Sequence, residues 1–387
     1  MNRRLTLKEM FESELTEKAV NDPNVKQFGN LGDMAEAILG AAIVAKFKTP
    51  KSQVTTASII EILNQLPKIT KSYSQSVVRQ VLRVSSTKND DIIFTIGLAT
   101  INYMSLHNQE AMNRANGILQ SAALFANSTQ VSDYALKAYN DPKKNIINIS
   151  SIGTENQKGT KVDLKVDYDG QIVPWGKLSL KAGGTKQLGQ IGKGWEAGVK
   201  ASRGIVDLFR GLFGIELDSS LRAPYAKAIG TGTYEDAVKV IQEVYWDAYQ
   251  KISDRFDGGP KELQDFLSTL ASGIRYEAYL DEQGITLLQL GNNTFKTMDF
   301  NKLVQIMKDE NLNVEIEVNY NKEGQVPKLY MNLWIDGEAY GPIVSVRPKI
   351  RKNEKTGGIG EFRHYVEKEA GLVKLINTSH DYSSQEI

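Results

Sequence analysis

The chain has 387 residues, 41% hydrophobic and 24% charged, the profile of a globular protein long enough for two or three domains, or one domain with a large insertion. It contains no cysteine, which excludes a disulfide framework and a thiolate metal site. No apolar run is long enough to span a bilayer, so no membrane role is expected. The net charge is +1, so any nucleic-acid footprint has to be local rather than global.

The N-terminal "MNRRLTLKEMFESELTEKAV" carries charges throughout and no hydrophobic h-region, so no secretory signal is expected. With the lack of cysteine, this fits a cytoplasmic location. Residues 5 to 20 read as a charged amphipathic helix. In residues 31 to 47 the apolar positions Met34, Ala35, Ile38, Leu39, Ala42 and Ile43 recur at helical spacing, and Pro50 stops the run. Residues 1 to 50 therefore form a block of N-terminal helices.

A second block, 51 to 140, reads as a mostly helical insertion. "TTASIIEILNQL" and "QEAMNRANGILQSAALFAN" have helical periodicity without an internal proline, whereas "DDIIFTIGLATI" suits a strand or a buried helix. The third block, 141 to 280, opens with three short strands, "NIINISSIG", "KVDLKVDY" and "GKLSLKA". Helices follow in "GWEAGVKASRGIVDLFRGLFG", "TYEDAVKVIQEVYWDAYQKISDRF" and "PKELQDFLSTLASGIRYEAYL". The last block, 281 to 387, alternates. "ITLLQL" is a strand, "NKLVQIMKDE" a helix, "NVEIEVNY", "KLYMNLWID" and "GPIVSVRPKI" are strands, and the tail after Lys374 is polar and loose. This order predicts an α/β or α+β fold, without internal repeats.

Chemistry concentrates in the third block. In "KVDLKVD", Val162, Leu164 and Val166 point one way and Lys161, Asp163, Lys165 and Asp167 the other. In "GKLSLKA", Leu178 and Leu180 oppose Lys177, Ser179 and Lys181. Alternation on both sides of a Gly-containing turn predicts adjacent antiparallel strands. Asp163, Ser179 and Lys181 then share a polar face, with cross-strand Cβ separations of about 5 Å. A carboxylate so placed can hold a divalent cation while an ammonium orients a metal-bound water.

These residues resemble the PD-(D/E)xK superfamily, the restriction-endonuclease-like nucleases, in which an acid on one strand is followed on the next by acid-x-lysine. Asp163 matches the first acid and Lys181 the lysine, while Ser179 stands where Glu or Asp is usual. The resemblance implies a mixed sheet core flanked by helices, with the helical insertion and a C-terminal α/β subdomain added. It implies a Mg²⁺-dependent DNA endonuclease, with Mn²⁺ as a substitute ion. The metal ligands would be Asp163 with Asp167 or Glu36, the latter matching a glutamate on the helix that precedes these strands. Glutamines soon after the lysine, at the start of a helix that meets phosphate, have counterparts in Gln187 and Gln190. Lys186, Lys193 and the basic "VRPKIRKNEK", with Arg347, Lys349 and Arg351, would hold DNA. No Q-x-x-x-Y helix follows the Lys181 strand, which favours an endonuclease over an end-processing enzyme. The last block resembles phage-encoded proteins of this type, so the cytoplasm in question would be that of the host cell. Homodimerisation is an expectation by analogy with such folds.

Structural readings stand beside these. Asp163 and Lys181 make a surface ion pair on any hairpin. Asp33 and Glu36 read as a capping box. Asp167 and Asp169 read as turn formers, Asp-Gly being a strong hairpin signal. His107, His364 and His380 are too scattered for a zinc site; His364 reads as a surface histidine or a phosphate contact. Tyr245, Trp246 and Tyr249 read as core. In function, the alternatives are a nuclease-fold protein that binds DNA without cutting it and a phage structural or assembly protein.

Overall fold

A computed structural model describes residues 31–66, 79–88, 90–97, 109–151, 162–182, 186–196, 204–256, 266, 286–291, 293–298, 314–323 and 326–378. The expected helices at 5–20 and 301–310, and nearly all of that at 260–280, lie outside the described residues. The fold is mixed α/β, with eight α-helices and two sheets among those residues. None of those helices is long and apolar enough to cross a membrane.

The contacts do not divide the chain into four successive blocks. They make two compact units, the first within Met1–Thr185 and Gly284–Met298, the second within Lys186–Gln283 and Asp299–Asp381. The chain leaves the first unit, builds much of the second, and returns to complete the first.

The first unit is organised by α1 (Leu31–Lys48). Every residue from Met34 to Phe47 is buried, so the helix is apolar almost all round and serves as a core element rather than a surface one. It packs against α2 (Thr56–Asn64), α3 (Gln109–Asn127) and α4 (Thr129–Asn140). It also packs against strands of a seven-stranded sheet, in spatial order β1 (Arg79–Ser85), β2 (Asp91–Gly97), β3 (Ile146–Ser151), β4 (Leu164–Tyr168), β5 (Gln171–Ala182), β7 (Thr286–Gly291) and β8 (Thr294–Met298). The β2/β3 and β5/β7 pairs are parallel and the rest antiparallel. Gly40 lets this packing close, since a Cβ there would collide with the Phe94 ring of β2.

The block read as a helical insertion thus contributes two strands to the first sheet. "RQVLRVS" alternates too weakly in hydrophobicity to announce itself, and "DIIFTIG" takes the strand option. The β4–β5 hairpin forms as expected. Asp169 and Gly170 have φ of 49° and 78°, the pair of positive values that an Asp-Gly type I′ turn supplies at little cost.

The second unit holds an antiparallel sheet in the order β6 (Gln187–Ile191), β12 (Ile359–Lys368), β11 (Glu338–Lys352), β10 (Val326–Ile335) and β9 (Val314–Glu323). The helices here are α5 (Ile205–Phe213), α6 (Arg222–Thr231), α7 (Tyr234–Phe256) and α8 (Ala370–Thr378). α7 packs on β9 and β10, burying Val238, Ile241, Tyr245, Ala248 and Ile252 at helical spacing. Of the helix expected over 194–214, the described part is α5, which has Gly204 as its N-cap. The Asp207 carboxylate accepts the Gly204 N–H at 2.9 Å there, and Gly214 ends the helix with φ of 65°. The tail expected to be loose after Lys374 instead begins as α8, which seats Leu372 in the core.

Candidate active site

Asp163 stands just before β4, and its N–H donates to the Leu178 carbonyl at 2.8 Å. With Leu164 opposite Leu178, strand alternation brings Asp163 beside Ser179, away from the apolar side chains. The Ser179 hydroxyl donates to Asp163 Oδ2 at 3.2 Å, and the Leu180 N–H donates to the same oxygen. Lys181 is two residues further along the Ser179 face, half-buried, opposite Gln289 of β7. Asp163 itself is partly exposed. A carboxylate oriented by two donors can ligate a divalent cation, and an ammonium further along the same strand face can contact a phosphate oxygen.

Glu36 is 6% exposed and accepts a hydrogen bond from the Ser151 hydroxyl at 3.0 Å. Ser151 pairs with Leu164, the residue after Asp163. Glu36 therefore reaches the sheet one residue away from Asp163, from the helix side. The capping-box reading does not hold for it, because α1 already runs from Leu31 and Asp33 lies inside its first turn; the Asp33 side chain is outside the described residues.

Asp167 does not join the cluster. It is four residues along the strand from Asp163, about 13 Å at the usual rise per residue. Its carboxylate accepts from Asn148 Nδ2 at 2.7 Å across the β3/β4 pair. Among the described residues no group of three or more His, Cys, Asp or Glu side chains is placed to hold a metal ion.

The expected DNA-contacting residues all belong to the second unit. Gln187 and Gln190 lie on β6, paired with Glu367 and Tyr365, and not at a helix start. The reason is local: Leu188, Gly189 and Ile191 are buried against the sheet, and among the described residues the next helix along the chain is α5, from Ile205. Lys186 approaches Glu369 at 3.5 Å, and Lys193 is exposed. Arg347 makes a two-pronged pair with Glu367, both bonds at 2.8 Å. Lys349 and Arg351 both face Glu361, at 3.3 and 3.4 Å.

Two polar clusters escaped the sequence reading. His364 is fully buried, with Tyr245 Oη 2.9 Å from Nδ1 and Tyr225 Oη 3.1 Å from Nε2. The Tyr225 hydroxyl hydrogen goes to the Lys193 carbonyl at 3.1 Å. Tyr225 must therefore accept from Nε2–H, and Nδ1 accepts from Tyr245, which sets a neutral tautomer. Burial pushes the imidazole pKa down to about 3 and both phenols above their ordinary range. His364 is neither a surface residue nor a phosphate contact. Its parity with Phe362 and Val366 in "EFRHYVEKE" was the available signal. Trp246 is likewise not core: it is 51% exposed and rests on Tyr249 and Tyr320.

The second cluster closes the far end of the first sheet. Asp90, 2% exposed, accepts from the Asn145 N–H at 3.0 Å and the Ser86 hydroxyl at 3.1 Å. The Tyr168 hydroxyl bridges Asp141 at 2.8 Å and Asn145 at 2.9 Å. Burial, then the Asp141 bond, raises the Tyr168 pKa.

Comparison with protein-family models, with curated proteins and with solved structures returned no match.

Proposed function

We propose that the chain is a metal-dependent deoxyribonuclease of the restriction-endonuclease-like kind, cutting phosphodiester bonds within DNA. The observation that carries the reading is the meeting of Asp163 and Ser179 at 3.2 Å across adjacent strands, with Lys181 next on the same face. Its setting supports the same reading. A helix bearing Glu36 packs on the sheet, three strands follow in antiparallel succession, and β7 returns parallel to β5.

The donor set suits an ion shared with substrate. Mg²⁺ needs only one or two carboxylates when waters and phosphate oxygens complete its octahedron, and Asp163 is one partly exposed carboxylate. When bound, the ion would supply Lewis-acid charge at the phosphate. The Ser179 hydroxyl and Leu180 N–H hold Asp163 in one orientation, so Ser179 acts as a positioning residue in place of a second acid. Lys181 presents an ammonium to a phosphate oxygen or to the attacking water and opposes the negative charge that grows as the bond breaks.

The test is plasmid relaxation with Mg²⁺ or Mn²⁺. Wild type nicks the plasmid and Lys181→Ala is at least about 100-fold slower, the loss typical of removing one electrostatic stabiliser. Equal cleavage by both proteins contradicts the reading.

A second reading is a nuclease-fold protein that binds DNA without cutting it. Ser179 in the usual acid's position favours it, together with the separation of Asp167 from Asp163. It predicts retarded DNA in EDTA and no cleavage with either metal.

A further inference from the structure

In the second sheet, β10 pairs with β11 only from Leu329–Val346 onward, although β10 stays paired with β9 through Val326 and β11 with β12 through Lys352. Carried one step further, that antiparallel register brings Lys328 opposite Arg347; a second step brings Pro327 opposite Pro348. Neither proline has an N–H, so this pair cannot exchange ladder bonds. The two strands part there. The parting opens a cavity of about 200 Å³ whose lining includes Lys328, Arg347 and Lys349 beside the two prolines.

Among the described residues, the cations around this slot exceed the carboxylates that hold them. Glu361 serves both Lys349 and Arg351, and Glu369 serves both Lys328 and Lys186. Glu367 serves Arg347, using two of its five N–H groups. The cations are also held in place from beneath. Lys328 lies 4.4 Å from the centre of the Tyr330 ring, and Arg347 and Lys349 lie 5.5 and 5.7 Å from that of Tyr365. The register sets a row across the sheet: Gln190, Tyr365, Arg347, Lys328 and Asn321. The row contains amides, a phenol and two cations, and no acid. By strand parity the exposed Arg363 falls on the same face.

We infer that this slot and row form a binding site for the sugar–phosphate backbone of a nucleic-acid strand, with one phosphate seated between Lys328, Arg347 and Lys349. The slot is smaller than the roughly 300 Å³ at which small-molecule pockets begin, so it takes a group rather than a cofactor. Surplus positive charge pinned in a fixed array suits a polyanion. The choice of nucleic acid over an acidic peptide rests on the nuclease reading of the first unit.

The experiment is fluorescence anisotropy of a labelled oligodeoxynucleotide in EDTA over a range of salt. Wild type is compared with Lys349→Gln/Arg351→Gln and with the control pair Lys143→Gln/Lys144→Gln, all at matched thermal midpoints. Binding at least 10-fold weaker in the Lys349/Arg351 variant, with a log–log salt slope smaller by about two, supports the site; the control pair binds as wild type. Unchanged affinity in the Lys349/Arg351 variant overturns it, whatever Lys181→Ala does to cleavage. Displacement by polyglutamate as readily as by unlabelled oligonucleotide also overturns it. Binding lost in that variant, with no cleavage by wild type, leaves the site standing and removes the nuclease reading.

Discussion

The first unit has an aspartate at each end of its central strands, and the two are treated differently. Asp90 is sealed from water and surrounded by the hydroxyl of Ser86 and the amide of Asn145. Asp163 keeps partial access to solvent. Its two identified donors come from β5, and a lysine follows on the same face. A carboxylate walled in by neutral donors serves cohesion, because a buried acceptor is costly once its partners are removed. One held at a strand end beside an ammonium can take a ligand. Access to solvent and the neighbouring charge, rather than residue type, separate the structural acid from the candidate chemical one.

That contrast can be broken most forcefully at the sealed end. Asp90→Ala leaves the Asn145 and Ser86 donors stranded, and the expected loss of stability is about 3 kcal/mol. Cleavage by the folded fraction at low temperature should stay unchanged. Denaturant melts paired with plasmid assays check both halves, and a cleavage defect without destabilisation would erase the distinction.

His364 carries the contrast into the second unit, as another sealed polar group. Unfolded, it takes up a proton near pH 6.5; folded, it resists until about pH 3. Its contribution is therefore complete above pH 6.5 and drains away as pH falls toward 3. Between pH 7 and 4.5 this group alone should account for about 2.5 kcal/mol of lost stability. The pH slope should be shallower in His364→Gln, by up to about 1.4 kcal/mol per pH unit in that window. Parallel slopes in the two proteins would show that the imidazole is not sealed.

The open end can be sharpened with Ser179→Asp, which restores the missing acid beside Asp163. Two carboxylates across one strand pair repel, so in EDTA the variant should lose about 1 kcal/mol. Mn²⁺ should return at least that much, read as a metal-dependent rise in the thermal midpoint that wild type shows only weakly. A variant indifferent to Mn²⁺ would mean that the face does not gather oxygen ligands.

The hairpin at this end was legible because period-two alternation and an Asp-Gly turn are local signals, and they brought Asp163 next to Ser179 correctly. The location of α1 was legible for the same reason, through helical periodicity and Pro50. What escaped depends on distant segments. The parallel pairing of Leu178–Ala182 with Thr286–Leu290 joins residues more than a hundred positions apart. Asp167 looked close to Asp163 on the page, yet strand rise carries it out of reach. Gln190 looked like a helix start because glycines surround it, whereas its partner Tyr365 draws it into a sheet. His364 was misjudged because its two hydroxyl partners come from α6 and α7, more than a hundred residues earlier.

The most direct test of the account is a double-mutant cycle on plasmid cleavage with Asp163→Asn, Lys181→Ala and the combined variant, at matched stability. Residues that act as one unit lose nearly all of their joint effect when either is removed. If Asp163 and Lys181 work as one unit, each single variant is almost as slow as the double. Losses that simply multiply, or singles that cleave like wild type, would contradict it.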